Sequence, residues 1–237
     1  MFVAYTFVLV HGAWHGGWCW QRVADRLRNG GHRVFTPTLT GLGERSHLLQ
    51  TGIDIATHIT DVVNVMKWER LSDVVLCGHS YGGFIISGVA EQMGSTIRSI
   101  VFLDAFLPNG GDTTQNLTST AVQEAIRAAL ASGALGMPPR PAEFFGVNAA
   151  DRAWVDGLCT PQPIGTFTYK ISLTGAREKI ARKTYIRAGN YANPGFDRAV
   201  ATVKADSSWR FHEVASGHDV MVDAPERLSE LLLEAAA

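Results

Sequence analysis

Cysteine is scarce in this chain, with only Cys19, Cys77 and Cys159 among 237 residues. An odd number cannot pair completely within one chain, and two of the three lie beside strongly apolar or motif residues, so a disulfide scaffold is excluded and reduced, structural thiols are expected. Charge of one sign is also lacking: 21 Lys and Arg against 22 Asp and Glu leave a formal net charge of −1, which removes any electrostatic case for nucleic acid or an anionic membrane surface. No apolar run approaches the roughly 20 residues that span a bilayer. No basic start, long apolar run and small-residue cleavage site precede the β-rich run at Tyr5 to Val10, which predicts a cytoplasmic protein. Repeats and charged tails are absent. What is present is 46% hydrophobic residues, enough for one well-cored domain over 1–237 and a small, fairly apolar molecule as the expected partner. The near-zero charge permits a homodimer without requiring one.

Short β-branched or aromatic runs recur at Thr6 to Val10, Arg33 to Thr36, Asp73 to Cys77, Ser99 to Asp104, Lys183 to Arg187 and Trp209 to Val214. Each is strand-length and mostly apolar, as strands buried on both faces are. Between them apolar residues recur at helical spacing, as in Ile55, Ile59, Val62, Val63 and Met66. Strands alternating with helices predict a mostly parallel six-stranded sheet covered on both faces. Gly30-Gly31 ends the first helix, and Pro225 suits the first turn of the last. The alternation breaks over about 106–181, which holds Pro138, Pro139, Pro141, Pro161 and Pro163 and is too long for a simple crossover. Short helices at Ala121 to Ala131 and Ala149 to Leu158 would form a lid over the carboxyl ends of the strands, leaving 1–105 and 182–237 as the core. Phe106, Leu107, Phe144, Phe145 and Trp154, with Trp14 from the first loop, are the candidate lining of an acyl or aromatic pocket; each could equally serve only to glue lid to body.

The most informative stretch is Cys77-Gly78-His79-Ser80-Tyr81-Gly82-Gly83, which fits G-x-S-x-G after the apolar run Val74-Val75-Leu76 and before the helical run Phe84 to Met93. A serine hydroxyl is a poor nucleophile at its free pKa, so an enzyme must expose it on a sharp turn beside a base and oxyanion donors. Gly78 and Gly82 permit that turn. The loop His11-Gly12-Ala13-Trp14-His15-Gly16-Gly17 follows the first strand at the same sheet edge, so the N–H groups of Ala13 and Tyr81 are the candidate oxyanion hole. A metal reading of His11 and His15 lacks a neighbouring Cys or carboxylate. His218, after the last strand and before the last helix, is the candidate base; His32, His47, His58 and His212 read as surface positions, and His79 lies inside the elbow.

Val8-Leu9-Val10-His11-Gly12-Ala13, Trp18-Cys19-Trp20, Leu39-Thr40-Gly41-Leu42-Gly43, Gly78-His79-Ser80-Tyr81-Gly82-Gly83 and Gly217-His218-Asp219 together resemble the α/β-hydrolase superfamily. The likeness is to the branch with plant methylesterases, hydroxynitrile lyases and bacterial pyrethroid-type carboxylesterases. The resemblance implies the α/β-hydrolase fold, an esterase-type triad, no metal and no organic cofactor. Those lyases carry a threonine in the first loop and a lysine after the catalytic histidine, where this chain has Gly12 and Asp219, so cyanohydrin cleavage of that type is disfavoured.

The third triad member departs from the family. Plant relatives place the acid shortly after the penultimate strand, where this chain has Ala188-Gly189-Asn190-Tyr191-Ala192-Asn193 and no carboxylate. An uncharged Asn190 cannot stabilise an imidazolium, and loss of that charge can cost about 10⁴ in turnover. Asp104, ending the strand after the elbow, is the candidate acid, in a Leu-Asp context similar to that of pancreatic-type lipases; a loop cap or a salt bridge to the lid is its alternative role. Asp197 fits a helix start, and Asp219 is too close in sequence to His218 to face it. The expected activity is cleavage of a small or medium carboxylic ester, methyl, aryl or lactone, through an acyl-enzyme on Ser80. Two other readings remain open: a lyase, C–C hydrolase or cyclising enzyme of secondary metabolism, and a ligand-binding module that has lost turnover.

Overall fold

The computed structural model describes residues 3–237. In chain order the elements are β1 (Thr6–Val10), α1 (Gln21–Asn29), β2 (Arg33–Phe35), α2 (Ile55–Trp68), β3 (Val74–His79), α3 (Gly82–Met93) and β4 (Ile97–Leu103), then α4 (Thr120–Ala131), β5 (Gly136–Met137), α5 (Arg152–Leu158), β6 (Gln162–Pro163) and α6 (Gly165–Thr168), and finally β7 (Arg182–Ala188), α7 (Pro194–Lys204), β8 (Trp209–Val214), α8 (Val220–Asp223) and α9 (Pro225–Ala236). Six strands form one sheet in the order β2-β1-β3-β4-β7-β8, every neighbouring pair parallel. β5 and β6 form a separate two-stranded antiparallel pair.

The pleat sorts each strand's side chains into two cores. Val8 and Val10, Val74 and Leu76, and Ile100 and Phe102 face α2, α3 and α7. Their neighbours Phe7 and Leu9, Val75 and Cys77, and Val101 and Leu103 face α1, α8 and α9. Because strand side chains alternate, strands covered on both sides carry apolar residues towards both cores, which is why β1, β3 and the second half of β4 read as nearly continuous apolar runs. Helix boundaries follow local chemistry. Asp54 accepts from the Thr57 N–H at 3.0 Å to cap α2, Gly31 adopts φ +82° just past α1, and Pro225 opens α9. The inserted segment between β4 and β7 contains three short helices and the β5–β6 pair, so the expected insertion stands with one small sheet not foreseen. Cys19, Cys77 and Cys159 are all free.

The carboxyl ends of β1, β3, β4, β7 and β8 converge on one edge, where the backbone is closely packed. A Cβ built on Gly78 would sit 2.6 Å from the Gly82 carbonyl oxygen. Gly78→Ala should therefore destabilise the protein by about 1–3 kcal/mol in urea unfolding. Gly94→Ala, where an added Cβ meets nothing within 4 Å, should be neutral or slightly stabilising.

Candidate active site

Ser80 stands on the turn between β3 and α3 with φ +53°, in the left-handed region that costs a side-chain-bearing residue about 1–3 kcal/mol. Backbone bonds hold it there. Its N–H donates to the Leu103 carbonyl at 3.1 Å, and its own carbonyl accepts from Gly83 at 3.1 Å and Phe106 at 3.2 Å. Gly12 lies against the same turn: a Cβ there would come 2.8 Å from His79 Nδ1 and 3.0 Å from the Ser80 Cβ. A threonine at this place has no room.

His218 Nδ1 lies 2.6 Å from Asp104 Oδ2, and both side chains are buried. A carboxylate only accepts, so Nδ1 carries the hydrogen and Nε2 is the basic nitrogen. The ring is packed among Tyr191 at 4.6 Å and Phe196 at 5.3 Å, both stacked, and His79 at 4.4 Å. The His218 N–H donates to the Phe145 carbonyl at 2.8 Å, tying the loop to the inserted segment. The other Asp104 oxygen accepts from the Ala188 N–H at 3.1 Å and from the Arg187 guanidinium, which also reaches the Tyr191 carbonyl at 2.6 Å and Asp197 Oδ1 at 3.0 Å. Asn190 is exposed, and its N–H is taken by the Ser216 carbonyl at 3.1 Å. Among the described residues, the carboxylate facing His218 Nδ1 is thus Asp104.

Ser80 and His218 open into one cavity of about 200 Å³, together with Ala13, Tyr81, Trp14, Phe106, Phe144, Phe145, Phe167 and Phe196. Among the described residues, no protein acceptor takes the N–H of Ala13 or Tyr81. Two of the expected lining residues lie elsewhere. Trp154 packs edge-on against Trp18 at 5.3 Å beneath the Arg22 guanidinium, because α5 covers the α1 side of the sheet. Leu107 is half-buried against the opposite core. Trp14 is pinned by Gln162 Oε1 at its N–H and by the Met137 carbonyl at its indole nitrogen, each at 3.0 Å.

Sequence reasoning missed a second polar cluster. Asp219 turns away from His218 and accepts from His15 Nε2 at 3.0 Å, while His15 Nδ1 donates to the Ala13 carbonyl at 2.8 Å. Both His15 nitrogens therefore donate, which makes the ring an imidazolium. Burial opposes that charge, but Asp219 outweighs it and raises the His15 pKa. Burial likewise opposes the Asp219 carboxylate, and His15 overrides it to hold the group far below the ordinary value. His79 donates from Nε2 to the His218 carbonyl at 3.1 Å, and burial, aided by His218, keeps it neutral. His79, His218 and Asp219 each have a nitrogen or oxygen within 4.8 Å of the others. Of these, His218 Nδ1 is engaged with Asp104 and Asp219 Oδ2 with His15, while Asp219 Oδ1 and His79 Nδ1 are buried without a hydrogen-bond partner among the described residues. His58, expected at the surface, is instead buried, with Nε2 on the Thr40 carbonyl at 2.8 Å and Nδ1 3.0 Å from the Tyr81 hydroxyl; burial lowers its pKa to about 4. His11 accepts from the Leu39 N–H at 3.0 Å, and burial lowers its pKa to about 3.

A family model described as "Alpha/beta hydrolase family" matches residues 7–231. The chain belongs to this family. The chain is 42% identical to the carbendazim hydrolyzing esterase of Nocardioides sp., over 96% of this chain and 98% of that protein. It is 31% identical to Methylesterase 7 of Arabidopsis thaliana, over 58% of this chain and 54% of that one. In three dimensions it is similar to an extracellular alpha/beta-hydrolase from a Paenibacillus species described as sharing structural and functional homology with tobacco salicylic acid binding protein 2. That match has a TM-score of 0.84 and 25% identity and covers 98% of each chain. Among the described residues, no helix is long and apolar enough to cross a membrane.

Two outcomes test this geometry in the alpha/beta hydrolase frame. Arg187→Met strips a buried carboxylate of its cation and should cost about 3–5 kcal/mol in urea unfolding. The His15–Asp219 pair should stabilise the fold fully between the two unfolded-state pKa values, about 3.8 and 6.5. The His15 share is lost as pH rises through its elevated folded value, and the Asp219 share as pH falls through its depressed one. The stability gap between wild type and Asp219→Asn should therefore be widest near pH 5 and narrow in alkali, as read by urea unfolding across pH.

Proposed function

We propose that this chain is a serine-dependent carboxylic ester hydrolase acting on small esters, methyl, aryl or lactone, with Ser80 as nucleophile, His218 as base and Asp104 as acid. The observation that carries the reading is the convergence in one cavity of a strained serine and a histidine whose far nitrogen is fixed by a buried carboxylate at 2.6 Å. The 42% identical esterase supports an ester as substrate. A cavity of about 200 Å³ lies below the ~300–1,000 Å³ typical of drug-sized ligands, which favours a short acyl or alcohol part.

In the first half-reaction Ser80 Oγ gives its proton to His218 Nε2 and attacks the ester carbonyl. The N–H groups of Ala13 and Tyr81 receive the oxyanion, and the Asp104 carboxylate stabilises the imidazolium. Collapse expels the alkoxide, which leaves as alcohol with the proton from His218, and Ser80 is left acylated. Water then loses a proton to His218 and attacks the acyl carbon; the acid departs and Ser80 regains its hydrogen. A lactone follows the same path with the alcohol still tethered.

The test is hydrolysis of short-chain p-nitrophenyl esters, in steady state and in the burst phase. Ser80→Ala and His218→Ala should abolish the burst and lower kcat by about 10⁴ or more, and Asp104→Asn should lower it by about 10⁴. Asn190→Ala should stay within about threefold of wild type. Near-normal turnover by Asp104→Asn would overturn the acid assignment, and turnover surviving Ser80→Ala would overturn the acyl-enzyme.

A further inference from the structure

Resting on the hydrolase reading above, we infer that the cavity is selective for esters carrying a carboxylate distal to the scissile bond, and that Arg140 is the residue that receives it. Arg140 is the charged side chain of the cavity wall, and no Asp or Glu lies in that wall. Its charge has no carboxylate partner among the described residues. Glu143, three positions along, is bonded instead to Arg152 at 2.7 Å. What Arg140 touches is aromatic: its guanidinium carbon lies 4.8 Å from the centre of the Phe144 ring, which lines the same cavity. Phe144 packs edge-on to Phe145 at 5.4 Å, and Phe145 lies 5.7 Å from His218, so a row of ring contacts links the cation to the base.

The backbone around Arg140 is stiff. It sits in Pro138-Pro139-Arg140-Pro141, where each proline fixes its own φ and the residue before a proline is held extended. The segment is fastened at both ends, by the Met137 carbonyl on the Trp14 indole at 3.0 Å and by the Phe144 N–H on the Pro141 carbonyl at 2.9 Å. A loop ordered in advance loses little entropy when it binds, which is how a half-buried arginine becomes a usable anchor. Ser119, also in the cavity wall, adds a hydroxyl that makes no capping bond to α4. A guanidinium and a hydroxyl in one otherwise largely apolar wall suit a carboxylate at the far end of a short acyl chain, as in a half-ester of a dicarboxylic acid.

The probes are p-nitrophenyl hydrogen glutarate and p-nitrophenyl valerate, close in size and differing in a terminal carboxylate against a methyl. The quantity read is the ratio of their kcat/KM values in wild type, Arg140→Lys and Arg140→Gln. The ratio should fall at least tenfold in Arg140→Gln, hold to within a few-fold in Arg140→Lys, and decline with added salt in wild type as screening grows. An unchanged ratio in Arg140→Gln overturns the inference and leaves the hydrolase reading intact. If neither ester is cleaved in a Ser80-dependent way, the hydrolase reading falls. Calorimetric binding of monomethyl glutarate against methyl valerate then decides: a preference for the anion lost in Arg140→Gln supports the inference, and equal binding sinks it.

Discussion

A buried carboxylate shared between a cation and a ring is the constraint on which the rest of this site depends. Asp104 spends one oxygen on Arg187 and the Ala188 amide and the other on His218, so a single side chain joins the ends of β4 and β7 to the loop after β8. Left alone, such a charge would be expelled from the interior or protonated. Arg187 neutralises it without competing for the oxygen that holds the histidine, and Asp197 balances the second arm of the guanidinium. The penultimate strand, β7, supplies the counter-ion of Asp104.

The sequence announced most of this frame because parallel strands buried on both faces carry apolar residues towards both cores. All six strands were readable within a few residues, and β1 and β8 to the residue. Ser80, His218 and Asp104 were legible for the same reason: the elbow, the loop after the last strand and the end of β4 are positions that topology alone sends to one edge. Side-chain direction was not legible. Trp154 and Leu107 are as aromatic or apolar as Phe145, yet α5 and the start of the inserted segment turn them towards the two cores. His58 looked like a surface residue until the Tyr81 hydroxyl and the Thr40 carbonyl gave its nitrogens buried partners. Arg187 did leave a signal, a charged residue directly after the apolar pair Tyr185-Ile186 at the carboxyl end of β7.

The second layer explains why the histidine-rich motifs come in pairs. His15 lies in the first loop, His79 precedes Ser80 and Asp219 follows His218, so one buried cluster ties together the three loops that carry Ala13, Ser80 and His218. The imidazolium of His15 bonds the Ala13 carbonyl and keeps the loop with a free Ala13 N–H in one conformation. None of His15, His79 and Asp219 lines the cavity, but His15 and His79 bond from behind to the Ala13 and His218 carbonyls of its wall. The contribution of this layer is alignment.

The bond from the His218 amide to the Phe145 carbonyl couples the inserted segment to the loop after β8. Gly217 also packs so close to Gly146 that a Cβ there would meet the Gly146 carbonyl at 2.3 Å. The segment is thus fastened to the His218 loop at Phe145 and Gly146. Raising it at Phe145 would unseat the histidine in the same movement, so a molecule could not be admitted there without disarming the enzyme.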